Sequence, residues 1–283
     1  MSRSQLVPIT EDLLEDVCRF LHAELNRDVS PETWMEWLRY PWLQDKPDYG
    51  FALVRPEEGI VGALIAFYSD QCIDGETHRF CNLAHWCVVP KYRNESLRPM
   101  RALMARKDVT LTGFSSIRRV VTVTKGLGWD TIDDYALMMP NINFAIFGTS
   151  PKVIADPDEI LEIVDDRHRQ IIHDHGPLVS AKYTLLTDGS DWCLSVHKVE
   201  IRKGVRFAVV IYASDRPLFR RWLGAFLAAY RAADGCWLTL CQPRYLPSRP
   251  IMALKVSEPR PHVFKSRRVD PAQITGLYSE LMR

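Results

Sequence analysis

The sequence predicts an α/β protein: a mixed, mainly antiparallel twisted sheet flanked by helices, built as two halves in tandem. Three observations carry this. The stretch Phe80 to Leu103, FCNLAHWCVVPKYRNESLRPMRAL, changes from a strand pattern to a helix pattern at Pro90, because proline cannot donate to a sheet ladder. Ahead of it, three strand-like segments are separated by short turns, the spacing of an antiparallel meander. The order helix, three strands, helix, strand then recurs beyond residue 148.

Taken in order, Thr10 is a candidate N-cap for a first helix whose apolar face is Leu13, Leu14, Val17, Leu21 and Leu25. Ser30-Pro31-Glu32 opens a second helix carrying Trp34, Trp37 and Leu38. The meander follows: Gly50 to Val54, a turn at Pro56-Glu57-Glu58-Gly59, Ile60 to Tyr68, a loop through Asp74-Gly75, then the strand from Phe80. Ser96 is the candidate N-cap of the next helix, with Pro99 in its first turn and Met100, Leu103 and Met104 at helical spacing. Val109 to Phe114 reads as a strand, and a strand after a helical crossover implies parallel pairing with the Phe80 strand. Ile117 to Lys125 is a short helix. Leu137-Met138-Met139-Pro140 ends the first half, Gly148 to Lys152 is a connector, and the halves divide as residues 1–147 and 148–283.

In the second half, Asp156-Pro157 starts an amphipathic helix through His173. Strands are expected at Ala181 to Leu186, Trp192 to Ile201 and Val205 to Ala213, then a helix from Pro217 to Ala232 capped by Asp215, a strand from Cys236 to Cys241, and a tail rich in Pro and Arg. This half has no counterpart of the Val88-Val89-Pro90 strand end and no Gly-rich loop, so it is expected to bind no cofactor of its own.

Composition sets the bounds. With 283 residues, 47% hydrophobic and 25% charged, the chain is that of a folded protein of one large or two ordinary domains. No apolar run reaches the roughly 20 residues of a membrane helix, and MSRSQLVPITEDLLED has acids where a signal peptide has its apolar core; the expected location is the cytoplasm. The seven cysteines form no C-x-x-C pair, which argues against zinc and structural disulfides. Charge is local: Lys91 to Lys125 holds nine basic and two acidic residues, although the whole chain carries only +1. Basic side chains at a helix start suit a compact polyanion. A nucleic acid, which asks for a broader patch, is the weakest reading.

The residues Val88-Val89-Pro90-Lys91-Tyr92-Arg93 before a helix resemble the acyl-coenzyme A signature of the GNAT acyltransferase superfamily, a strand ending V-x-P that leads into an R/Q-x-x-G-x-G/A loop. Gly126-Leu127-Gly128-Trp129 is similar to the family's closing segment. Ser96 and Arg98 replace the loop's two glycines, and Thr124 stands where many members carry a tyrosine acid. The segment around Ser96-Leu97-Arg98 is similar to that of GNAT-like proteins of bacterial polysaccharide gene clusters, so the chain reads as a divergent member. The resemblance spans about Ile9 to Pro140. It implies two parallel strands that splay apart, acetyl-coenzyme A or another acyl-coenzyme A as substrate, and a small-molecule or sugar-linked acceptor walled by the first two helices, Trp37 and Trp42 included.

On this reading, Arg93, Asn94, Glu95, Ser96, Leu97 and Arg98 cradle the phosphates, while Trp86, Cys87, Val88 and Val89 offer the strand edge to the pantetheine arm. His85, Asn82 and Thr124 are the catalytic candidates. An amide cannot take a proton at neutral pH, which disfavours Asn82, whereas imidazole can; positions 82 and 85 face opposite ways unless a bulge intervenes. Cys87 as a nucleophile would need a basic neighbour. His168, His173 and His175 could suggest a metal, but positions 168 and 173 do not share a helix face, and none is expected. The alternative from another class is a non-catalytic GNAT-like binding module.

Overall fold

The computed structural model describes residues 3–40, 42–43, 45–142, 151–176, 180–279 and 281. The first half comprises β1 (Gln5–Pro8), α1 (Glu11–Glu24), α2 (Pro31–Leu38), β2 (Gly50–Arg55), β3 (Gly59–Ile73), β4 (Glu76–Val88), a 3-10 turn Pro90–Glu95, α3 (Leu97–Met104), β5 (Val109–Gly113), α4 (Arg118–Gly126) and β6 (Asp130–Pro140). The second comprises β7 (Lys152–Ile154), α5 (Pro157–Ile163), α6 (Asp166–His175), β8 (Lys182–Thr187), β9 (Trp192–Arg202), β10 (Val205–Ala213), α7 (Arg216–Arg221), α8 (Leu223–Asp234), β11 (Leu238–Cys241) and β12 (Leu254–Lys265).

The twelve strands of the described residues form one sheet, ordered β1-β2-β3-β4-β5-β12-β6-β11-β10-β9-β8-β7. The pairs β4–β5 and β10–β11 are parallel and the rest antiparallel. The order is a palindrome in which each half gives its last strand to the other: β12 enters between β5 and β6, and β6 pairs with β11. The two halves therefore share their central strands. The 147/148 boundary and Gly148 to Ser150 of the predicted connector lie outside the described residues.

Sheet alternation sorts the first half's core. Ala63, Ile65 and Phe67 pack with α1 and α2 residues such as Leu14, Leu21 and Trp34. Leu64, Ala66 and Tyr68 pack on the other face with Met100, Leu103 and Trp129. Ser30, Asp156, Asp165 and Asp215 accept hydrogen bonds from the amides of Thr33, Asp158, His168 and Leu218, which starts their helices.

Several expectations are corrected. Thr10 does hold the N-cap position of α1, but its side chain makes no cap bond. Ser96 is not an extended N-cap: its backbone is helical (φ −56°, ψ −31°), so the 3-10 turn runs on into α3. The helix expected over Asp156 to His173 breaks where Val164 becomes extended and Asp165 caps a new helix. The helix from Pro217 is likewise interrupted, at Trp222. The Pro- and Arg-rich tail contains β12 at the centre of the sheet.

Where the halves meet, Asp133 of β6 is paired with Arg244, both side chains being almost wholly buried, and His262 Nδ1 of β12 stands 3.3 Å from Arg244 Nη1. Burial, then the nearby Arg244 and Lys198 charges, hold His262 well below the ordinary histidine value, so it is neutral in the fold. Unfolding frees it to titrate near 6.5. Stability from this group is thus complete above pH 6.5 and lost as pH falls below it, at a limiting slope of about 1.4 kcal/mol per pH unit. Urea midpoints between pH 7.5 and 5 are expected to fall more steeply for the native chain than for His262→Gln; equal slopes would refute this.

Candidate functional site

β4 and β5 pair in parallel from Arg79↔Val109 to Asn82↔Thr112 and no further. Beyond that point β5 turns toward β12, with Gly113 opposite Val263, while β4 runs on beside β3 alone. The parallel strands therefore splay. The register between β3 and β4 slips here: Ala66 faces Leu83 and Leu64 faces Trp86, so Ala84 and His85 together oppose Ile65. This bulge inverts the alternation and puts Trp86 on the same face as Leu83.

The ladder then decides which backbone groups are open. Val89 N–H donates to Val61 O at 2.9 Å, making that pair and the next, Ala63 with Cys87, hydrogen-bonded. The pairs between and beyond them, Gly62↔Val88 and Leu64↔Trp86, are the non-bonded kind. Their N–H and C=O groups on Trp86 and Val88 therefore turn away from β3, toward the space that β5 has vacated. Val89, expected to offer its amide to a ligand, spends it on β3.

A cavity of about 550 Å³ occupies the splay and passes through the sheet. On one side it is bordered by Met100 of α3, Val120 and Thr124 of α4, and Trp129; on the other by Trp34 and Trp37 of α2 and by Leu25, Asn26 and Val29 at the α1–α2 connection. Lys198 and Arg260 reach it from the second half.

Of the predicted catalytic residues, His85 and Thr124 border the cavity and Asn82 does not. His85 sits in the bulge with its ring edge-on to Trp34, centroids 4.6 Å apart. The Thr124 hydroxyl donates to Val121 O at 3.0 Å within its own helix. Asn82 is buried at the last β4–β5 pair and accepts from Thr112 Oγ1 at 3.2 Å. Trp86 borders the cavity, while Val88 packs with Leu53, Val61 and Tyr92. Cys87 lies on the α1–α2 face, its thiol 3.6 Å from Glu24 O, and burial pushes the thiol up.

The predicted phosphate cradle is rearranged. Without glycines the chain stays helical, and the Tyr92 and Ser96 amides bond to Val89 O and Arg93 O. Glu95 is buried, accepts from the Ser4 amide and hydroxyl, and is paired with Arg98. Arg98 also donates to Ser4 O at 2.6 Å. Arg98 is thus already neutralised, and Glu95 is part of its anchorage. Arg93 and Asn94 are exposed at the surface of the turn, and Leu97 begins α3.

Trp42, expected at the acceptor wall, is elsewhere: its Nε1 donates to Tyr68 O at 2.8 Å, and its ring stacks on Tyr40 and His175. His168 and His175 are buried with both ring nitrogens engaged, by Asp165 and Tyr212 and by Ile171 O and the Tyr278 amide. Among the described residues no group of three or more His, Cys, Asp or Glu could hold a metal ion.

The second half repeats the splay and fills it. β10 and β11 pair in parallel only over Phe207–Val209, and β10 has its own bulge at Ile211, between Val210 and Tyr212. The Ile211 carbonyl is taken by the Tyr245 hydroxyl and the Gly276 amide, and Leu277 and Tyr278 pack beside it. A Cβ on Gly276 would lie 3.0 Å from Ile211 Cγ2, so this segment is fitted closely against the strand. What is an open edge in the first half is occupied by the chain itself in the second.

Lys198 and Arg260 were missed as site residues. Their signals were Lys198, Glu200 and Arg202 alternating with Val199 and Ile201 at the end of a strand, and an arginine between two prolines.

No protein-family model and no curated protein matches the sequence. Solved structures do match in fold. A GCN5-related N-acetyltransferase from Anabaena variabilis superposes with a TM-score of 0.61 at 11% identity, over 93% of this chain and 72% of that one. One from Kribbella flavida gives 0.56 at 14% identity, over 92% and 70%. N-myristoyltransferase of Saccharomyces cerevisiae with bound myristoyl-CoA gives 0.50 at 11%, over 96% and 80%. At these identities the likeness is one of fold: the chain has the mixed, mostly antiparallel α/β fold of the GCN5-related N-acetyltransferases.

Proposed function

We propose that the chain binds an acyl-coenzyme A in the β4–β5 splay and transfers its acyl group, acetyl in the simplest case, to an amine or hydroxyl acceptor. The observation that carries this is the open edge of β4, where the backbone groups of Trp86, which borders a cavity running through the sheet, and of Val88 turn away from β3. An extended, amide-bearing arm is the kind of ligand such an edge pairs with. In this reading residues 1–147 hold the cofactor, with Arg93, Asn94 and the start of α3 toward its phosphates and the arm passing between α3 and α4. Residues 148–283 bring Lys198 and Arg260 to the acceptor side. A sugar-linked acceptor in the cytoplasm is the setting we favour, on the resemblance to proteins of polysaccharide clusters.

The acceptor's nitrogen or oxygen attacks the thioester carbonyl, whose oxygen the Val88 N–H stabilises. The C–S bond then breaks, and coenzyme A leaves as the thiolate, which takes a proton from water to become the thiol. His85 borders the cavity, and an imidazole is the kind of side chain that serves as a general base, so it takes the acceptor's proton.

A second reading, a non-catalytic binding module, is favoured by the engaged Thr124 hydroxyl and by the absence of a carboxylate among the described residues bordering this cavity. Free-thiol release from acetyl-coenzyme A, followed over a panel of amines and amino sugars, separates the two. Transfer predicts acceptor-dependent release, lowered roughly 100-fold by His85→Gln. Cofactor binding with no release over the whole panel would contradict transfer and leave the binding module.

A further inference from the structure

We infer that the acceptor carries an oxyanion, a carboxylate or phosphate, which is seated on Arg260 in a second cavity continuing the first into the C-terminal half. This rests on the acyltransferase reading above. The second cavity, about 340 Å³, shares Ser115, Lys198, Arg260 and Leu281 with the cavity in the splay. The four shared residues mark the junction, so a ligand can extend from one cavity to the other.

Two elements supply the charges. Along β9, Lys198, Glu200 and Arg202 fall at every second position and border this cavity. Glu200 lies between the two cations, 2.9 Å from Lys198 and 2.7 Å from Arg202. In β12 the ladder with β6 is interrupted: Ser257 faces Tyr135 and His262 faces Asp133, so four residues stand against one. Positions 259 and 261 are prolines and have no N–H to give the ladder. The excursion brings Glu258 and Arg260 to the cavity.

The cavity therefore has three cations, Lys198, Arg202 and Arg260, against two carboxylates, Glu200 and Glu258. Burial pushes Glu258 up, which weakens its hold on a neighbouring cation. Burial, Arg244 and Lys198 keep His262 neutral, so it adds no charge. Lys198 and Arg202 share Glu200, whereas the exposed Arg260 guanidinium makes no hydrogen bond or ion pair among the described residues. A guanidinium fork at a cavity junction is matched to the paired oxygens of a carboxylate or phosphate. An acceptor whose nucleophile enters the splay while its anionic end rests on Arg260 uses both cavities.

The test is binding of four small probes to the full chain, by calorimetry or ligand-observed NMR: β-alanine and O-phosphoethanolamine, which carry the anion, and β-alaninamide and ethanolamine, which do not. At least one anionic probe is expected to bind tenfold or more tightly than its counterpart without the anion, and Arg260→Ala and Arg260→Glu to abolish that preference while Arg260→Lys keeps part of it. The better anion distinguishes carboxylate from phosphate. Equal binding of all four, binding of none, or a preference unchanged in Arg260→Ala would overturn the inference. Acetyl-coenzyme A is titrated separately into the same samples. Failure there with anion selectivity intact would remove the acyltransferase reading and leave an oxyanion site; the reverse would remove the site alone.

Discussion

Replacing Val88 with proline is expected to weaken acetyl-coenzyme A binding about 10- to 100-fold while leaving the sheet intact. The Val88 amide belongs to a non-bonded pair of the β3–β4 ladder and points to the splay, so proline removes a donor from the ligand side without taking one from β3. Losing one such donor to a buried ligand costs roughly 1–3 kcal/mol, and each 1.4 kcal/mol is about tenfold in affinity. Val88→Ala keeps the amide and is the control, expected within about threefold of the native chain. Equal losses in both variants would mean that the side chain, not the edge, holds the ligand.

Gly50→Ala is expected to be the most damaging single methyl in the first half. Gly50 has φ +112°, outside the range that L-residues favour, and a Cβ there would overlap the Leu64 carbonyl oxygen and lie 3.0 Å from Ala66 N. The contact cannot relax freely, because the Ala66 amide bonds to Tyr49 O and the Gly50 amide is itself held by buried Asp48. Asp48 in turn is paired with Arg106 and accepts from the Tyr68 hydroxyl at 3.1 Å. Leu64 and Ala66 flank the position opposite the His85 bulge, so the strain is delivered to the site. A loss of about 3–5 kcal/mol is expected, read as a fall of roughly 10 °C in Tm. A change below about 1 kcal/mol would show that β2 and β3 can separate here without cost.

Much of the first half was legible because its signals are local. Val88-Val89-Pro90 stops a strand by chemistry that any neighbour sees, and the meander is punctuated by Gly59 and Asp74-Gly75, whose backbones do adopt positive φ. Helical spacing put Trp34 and Trp37 on one face of α2, and both border the cavity; a place at the wall came from the resemblance, which named Trp37 and Trp42. What could not be read depended on partners distant in sequence. β12 pairs Val263 with Gly113 and Leu254 with Met138, and its two prolines argue against a strand when seen alone. The bulge at Ala84-His85 is a property of the β3–β4 register, which period-2 reading cannot locate. One contact in the expected cradle was written in the sequence: Glu95 and Arg98 are three apart on a helical turn, a spacing that favours pairing with each other. The chain's filling of its own second splay by Tyr245 and Gly276 had no local signal.

The most direct measurement is a calorimetric titration of the full chain with acetyl-coenzyme A. The account predicts binding in the micromolar range with one molecule per chain, because the first splay has an open edge and the second is occupied by the chain's own Tyr245 and Gly276. No heat up to millimolar cofactor, or two molecules per chain, would contradict it.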